Sequence, residues 1–221
     1  MAPPALAQAS IEPAVMDRYE PAEPRLLRAG RYGPVLRARD LHGKQLVALK
    51  VFNAAEAYRL GALKSCSSLQ EAHRVTQAAF RRQVQSLQQV HGDKQPSQQD
   101  AQTAVVRLLD FSKDVSGQPA ASDDGCFYIV MELGIFTMEQ LVIDSREVER
   151  QPRVAEVRET IRLVISALAR LHGAGYALAA HSPRQWMRFP VGWKLLDADV
   201  LRRDQHALSI DATAVDPLYC A

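Results

Sequence analysis

The amino-acid sequence predicts an α+β fold, in which a five-stranded antiparallel sheet with one long helix precedes a mainly helical second part. Three observations predict it. Short apolar runs in RLLRAGRYGPVLRARD, QLVALKVF, AVVRLLDFS and CFYIVMEL are bounded by glycine, proline and aspartate turns, the pattern of five successive strands. Between the third and fourth strands Phe80, Val84, Leu87 and Val90 recur three or four residues apart, which places them on one helix face. Further on, Val154, Val157, Ile161, Val164, Leu168 and Leu171 repeat that spacing over a longer helix.

Bulk properties exclude several function classes. The 221 residues are 47% hydrophobic and 24% charged, an ordinary globular composition with enough apolar material for a core. A net charge of +2 without a basic cluster excludes a nucleic-acid groove and a membrane-binding face, and no apolar run reaches membrane-helix length. Cys66, Cys126 and Cys220 are odd in number and widely spaced, so neither a disulfide framework nor a zinc site is expected. With no basic or Arg-rich leader at the N-terminus, a cytoplasmic location is expected.

Element by element, residues 1–24 carry Pro3, Pro4, Pro13, Pro21 and Pro24 and are expected to form a disordered tail. Gly30 and Gly33 mark a turn between the first two strands. Lys50 lies inside the otherwise apolar run of the third, where its charge needs a partner. Residues Ala54 to Val90 read as helix, interrupted near Gly61 and Ser65 to Ser68. Polar loops cover 91–103 and 113–125. A short helix over Met138–Asp144 leads past Pro152 to the Val154–Leu171 stripe, read as core. An irregular loop and the apolar strand WKLLDAD follow.

In this order, GRYGPV, VALK, YIVMEL, LARLH, SPRQ, WKLLDAD and DPLYCA resemble the motif series of the eukaryotic protein kinases, with Ser/Thr kinases as the nearest type. The resemblance implies a small lobe and hinge over 25–134 and the first part of a large lobe over 135–221, ending before the A-P-E motif. It implies a nucleotide site for ATP: Gly30 and Gly33 in the glycine loop, Val35 and Ala48 against adenine, Lys50 on the phosphates, Met131 limiting pocket depth, and Glu132 and Leu133 as hinge. Asp197 and Gln185 take the positions that hold Mg²⁺.

The departures bear on chemistry. Arg28 stands where the first loop glycine belongs, Gln83 where a glutamate pairs with the lysine, and Ser182 where the catalytic loop carries a lysine. Ala180 stands where the catalytic aspartate belongs, and Ala198 and Asp199 replace the Phe and Gly of D-F-G. A kinase-like protein impaired in phosphoryl transfer, a pseudokinase with weak ATP binding and a regulatory or scaffolding role through an unidentified protein partner, is therefore expected. The alternatives are a divergent active Ser/Thr kinase and a truncated remnant, in which the helical stripe and the strand Trp193–Leu196 would lack part of their cover.

Overall fold

The computed structural model describes residues 15–92, 103–147, 153–178 and 182–203. Strands β1 (Tyr19–Ala29), β2 (Pro34–Asp40), β3 (Leu46–Phe52), β4 (Leu108–Phe111) and β5 (Phe127–Glu132) form one antiparallel sheet in the order β1-β2-β3-β5-β4. Helices α1 (Ala54–Arg59) and α2 (Leu69–Gly92) lie between β3 and β4 in the chain. Asn53 caps α1 by accepting the Glu56 N–H at 3.0 Å, and Gly61 at φ +69° turns the chain out of it. The helical stretch is thus interrupted where the glycine and the serines stand.

The alternation of β3 builds two apolar layers, because successive side chains point to opposite faces of a sheet. Val47, Leu49 and Val51 pack with Tyr19, Ala38, Tyr128 and Val130 on the outer face. Phe52 joins Phe80, Val84, Leu87, Phe127, Ile129 and Met131 on the inner face, against α2. Each fully buried side chain of this size contributes about 1.5–3 kcal/mol through removal from water. The inner core continues into the second half through Ala104, Val105 and Val106, which meet Leu171, Trp186 and Leu195.

The expected tail 1–24 is corrected over its last part. Residues 1–14 lie outside the described residues, but β1 starts at Tyr19, which is 1% exposed and packs on the outer face with Val15 and Met16. Arg18 clamps this segment with two hydrogen bonds of 2.8 Å to the Asp40 carboxylate. That guanidinium holds the Asp40 carboxyl well below the usual range, against the opposing effect of burial. Pro21 and Pro24 do not break the strand because β1 is a sheet edge, where a missing N–H is tolerated.

In the second half, β6 (Phe136–Thr137), β8 (Trp186–Phe189) and β9 (Gly192–Leu195) form a three-stranded sheet, and β7 (Tyr176–Leu178) pairs with β10 (Leu201–Arg203). Helix α3 spans Met138–Glu147 and α4 spans Val154–Gly173. The apolar stripe on α4 is core only at its C-terminal end: Ala167 and Leu171 are buried under β7 and β9, whereas Val154, Val157 and Ile161 are 74%, 41% and 52% exposed. Of the two features that the truncated-remnant alternative would leave under-covered, the stripe is exposed over its N-terminal half, whereas the strand is covered, since Trp193 and Leu195 are buried and the Leu195 carbonyl accepts the Val106 N–H at 2.8 Å. Among the described residues no helix is long and apolar enough to cross a membrane.

His91, in the last turn of α2, is half-buried with Nε2 2.9 Å from the Val106 carbonyl oxygen. Burial lowers its pKa, outweighing the favourable effect of that carbonyl and of Glu132 on the charged form. A depressed pKa in the folded state gives stability that is present above the unfolded value and lost as pH falls through the folded one. Urea unfolding should therefore show the protein weakening between about pH 7 and about pH 5. His91→Gln, which keeps an N–H donor, should weaken less over that interval; an identical pH dependence in the two proteins would contradict the assignment.

Candidate functional site

Three polar side chains that are far apart in sequence meet beneath the five-stranded sheet. Lys50 of β3 donates to Gln83 Oε1 of α2 at 2.9 Å and to Asp197 Oδ1 at 2.8 Å, and Gln83 Nε2 donates to the same Asp197 oxygen at 3.0 Å. The strand parity that turns Phe52 inward also turns Lys50 inward, and the buried α2 face that carries Phe80, Val84 and Leu87 carries Gln83, which is 2% exposed. Asp197 stands at the N-terminus of a 3₁₀ turn, Ala198–Val200, but its side chain does not cap that turn. It points to Lys50 instead. Desolvation raises the Asp197 pKa, yet the Lys50 ammonium, the nearby Arg28 guanidinium and the Gln83 amide outweigh it and hold the carboxyl below its ordinary value.

The triangle explains the residue at position 83. Its side chain must accept a hydrogen bond from an ammonium while donating one to a carboxylate, and an amide does both at once. An ionised carboxylate there would only accept, and would face Asp197 with like charge.

The other sequence-predicted residues are placed as follows. Val35 lies directly opposite Lys50, and Ala48 opposite Met131, so these residues share the inner face of the sheet with the triangle. Ala48 and Met131 are buried and Val35 is half-buried. Gly30 and Gly33 close the β1–β2 hairpin through a Gly30 N–H to Gly33 carbonyl bond of 3.0 Å. A Cβ on Gly33, at φ +153°, would stand 2.7 Å from the Val51 carbonyl oxygen, so the approach of the turn to β3 requires glycine there. Glu132 ends β5 with its carboxylate already engaged by Lys194 Nζ at 2.5 Å and the Arg107 N–H at 2.8 Å, and Leu133 follows half-buried. Ala180 lies outside the described residues.

Gln185 and Asp197 form no joint cation site. The Gln185 amide oxygen accepts the Ser182 N–H at 2.8 Å, closing the 3₁₀ turn Pro183–Gln185. Asp197 Oδ1 already takes two donors, from Lys50 and Gln83, and the carboxylate lies in the field of the Lys50 and Arg28 charges. The side chain of Asp199 is outside the described residues. Among those described, no three His, Cys, Asp or Glu side chains gather as a metal would need. A lone carboxylate already paired with an ammonium does not fit Mg²⁺, which favours several hard oxygen donors.

Three participants had no role in the sequence reading, or a different one. A bulge in the β1–β2 ladder, between Leu26 and Arg28, turns the Arg28 side chain to the inner face, where Nη1 donates to the Arg184 carbonyl at 3.0 Å. The next carbonyl, that of Gln185, accepts the Leu196 N–H at 2.8 Å and so fixes the residue before Asp197. Lys194 is 8% exposed, pairs with Glu132 and lies 4.9 Å from the Phe189 ring centroid. Tyr32, at the tip of the glycine turn, stacks on Phe52 with centroids 5.6 Å apart. The signal for Lys194 was present in the sequence as a lysine inside an apolar run; nothing announced the bulge.

Replacing Gln83 by glutamate tests the triangle. In Gln83→Glu the new carboxyl and Asp197 meet at hydrogen-bond distance with one ammonium, Lys50, to offset two negative charges, so the pair holds a shared proton to higher pH than in the unfolded chain, and stability is present below the unfolded value and lost as pH rises through the raised one. The variant should lie closest to the unaltered protein in urea midpoint near about pH 4 and fall furthest behind near neutrality. A deficit that shrinks as pH rises would show that the Lys50 ammonium outweighs the repulsion between the two carboxylates, and would contradict the account of why an amide stands at position 83.

No family model matches the chain, and no curated protein matches it either.

Proposed function

We propose that the chain is a protein-kinase-like domain that binds a purine nucleotide in the space between the inner face of the five-stranded sheet and the Pro183–Asp197 segment, and acts through protein contacts rather than turnover. The observation that carries this reading is the Lys50–Gln83–Asp197 triangle. A strand lysine braced by a helix residue, with an aspartate from a distant loop beside it, resembles the set of positions that serves nucleotide phosphates in phosphoryl-transfer domains, where the lysine contacts the phosphates and the aspartate holds the metal. Further support comes from the sheet order, the glycine turn next to β3, and the apolar patch of Val35, opposite Lys50, with Ala48, two residues along β3, and Met131, opposite Ala48. Such a patch suits a flat heterocycle, whose orientation backbone groups then set.

Transfer itself is poorly served. Ala180 has a methyl group where a carboxylate would orient the attacking hydroxyl, and a missing general base lowers rates by about 10²- to 10⁴-fold. Asp197 is occupied by two donors, and Gln185 by the turn it closes.

ATP at about ten times its Kd should raise the melting temperature by roughly 3–6 °C, from mass-action stabilisation of about 1.4 kcal/mol. Lys50→Met should abolish the rise, and labelled phosphate should not reach protein substrates above background. Retention of the full shift in the variant would place the nucleotide elsewhere, while efficient Lys50-dependent transfer would overturn the assignment.

A further inference from the structure

Arg28, Val35 and Lys50 stand in one row across β1, β2 and β3, each directly opposite the next. Residues so paired share a face of the sheet, so two cations flank one valine on the inner surface. Arg37, opposite Ala48, lies on the same surface, and its Nε is buried without a hydrogen-bond partner. Against these three positive charges Asp197 supplies the negative charge of the triangle. Among the described residues Arg28 makes a single hydrogen bond, to a neutral carbonyl, although a guanidinium has five N–H donors.

We infer that this surface is a metal-independent polyphosphate site, in which the Arg28 guanidinium supplies, beside Lys50, the positive charge that a divalent cation would otherwise bring to the phosphates of a nucleotide. The inference rests on the nucleotide reading above and adds to it the charge state of the ligand, which is the free triphosphate. Three features point the same way. The residues offered to Mg²⁺ are already engaged. Arg28 is brought to the inner face by a bulge, which turns its side chain from the outer face of the sheet toward the Arg184 carbonyl. Its planar donor fork matches two phosphate oxygens, and exchanging a neutral acceptor for an anionic one strengthens each hydrogen bond. Asp197 then acts as the competitor of the phosphates for Lys50 and not as their metal bridge.

Calorimetric titration of the full chain with ATP, in EDTA and then with excess Mg²⁺, tests this. The free triphosphate should bind in EDTA, and Mg²⁺ should leave the affinity unchanged or lower it. Arg28→Gln should weaken binding in EDTA by about tenfold or more, Arg28→Lys should retain most of it, and Asp197→Asn should tighten it by removing a negative charge. Tightening of the unaltered protein by Mg²⁺, unaltered binding in Arg28→Gln, or loss of binding in Asp197→Asn would each overturn the inference. Binding in Mg²⁺ alone would overturn it and leave the nucleotide reading standing; no binding in either buffer, with cooperative unfolding intact, would overturn both.

Discussion

A lysine ammonium inside an apolar strand is the constraint on which the arrangement depends. Desolvating that charge is unfavourable unless hydrogen-bonded partners surround it, and Lys50 draws one partner from α2 and one from the segment beyond β9. Removing either partner would leave a partly buried charge under-satisfied, an effect larger than the net gain from forming the pair. The triangle therefore specifies the relative placement of three elements more sharply than apolar contacts do, because hydrogen bonds have direction and van der Waals contacts do not. Around it the core is continuous from Phe80 through Val105 to Leu195, and supplies the bulk of the stabilisation.

A second ion pair repeats the device on the other side. Lys194 reaches from β9 to Glu132 at the end of β5, tying the small sheet of the second half to the last strand of the first. Its side chain is 10% exposed, so it is screened by water far less than a surface pair. Arg28 adds a third crossing, from the edge strand to the Pro183–Gln185 turn. Lys50 and Lys194 are held by carboxylates, while Arg28 is held by a backbone carbonyl that a better acceptor can replace. That difference in partner makes Arg28, of the three, the group that a phosphate would recruit.

Much of the fold was legible in the sequence because local signals and burial agreed. The five apolar runs bounded by turn residues became the five strands, and the α2 stripe became the buried face. Lys50, Gln83 and Asp197 were each identifiable from sequence order, although only the structure brings them within 3.0 Å of one another. The start of β1 was missed because proline content argues against regular structure, whereas an edge strand anchored by Tyr19 and the Arg18–Asp40 clamp tolerates it. The α4 stripe was over-read. Helical periodicity marks an apolar face but not what lies against it, and Val154 and Ile161 are exposed while Leu171 is buried. Arg28 could not be placed, since one extra residue in a ladder reverses the direction of a side chain and leaves no mark in composition.

The claim that Lys50 and Asp197 act as one unit is most directly tested by a double-mutant cycle. Lys50→Met, Asp197→Asn and the double variant would be unfolded in urea near neutral pH, and the deviation from additivity measured. Direct contact in a partly buried site predicts a coupling of about 1–3 kcal/mol, with the double variant less destabilised than the sum of the single ones. Additivity within about 0.5 kcal/mol would mean that the two side chains do not interact, and would contradict the triangle on which the functional reading stands.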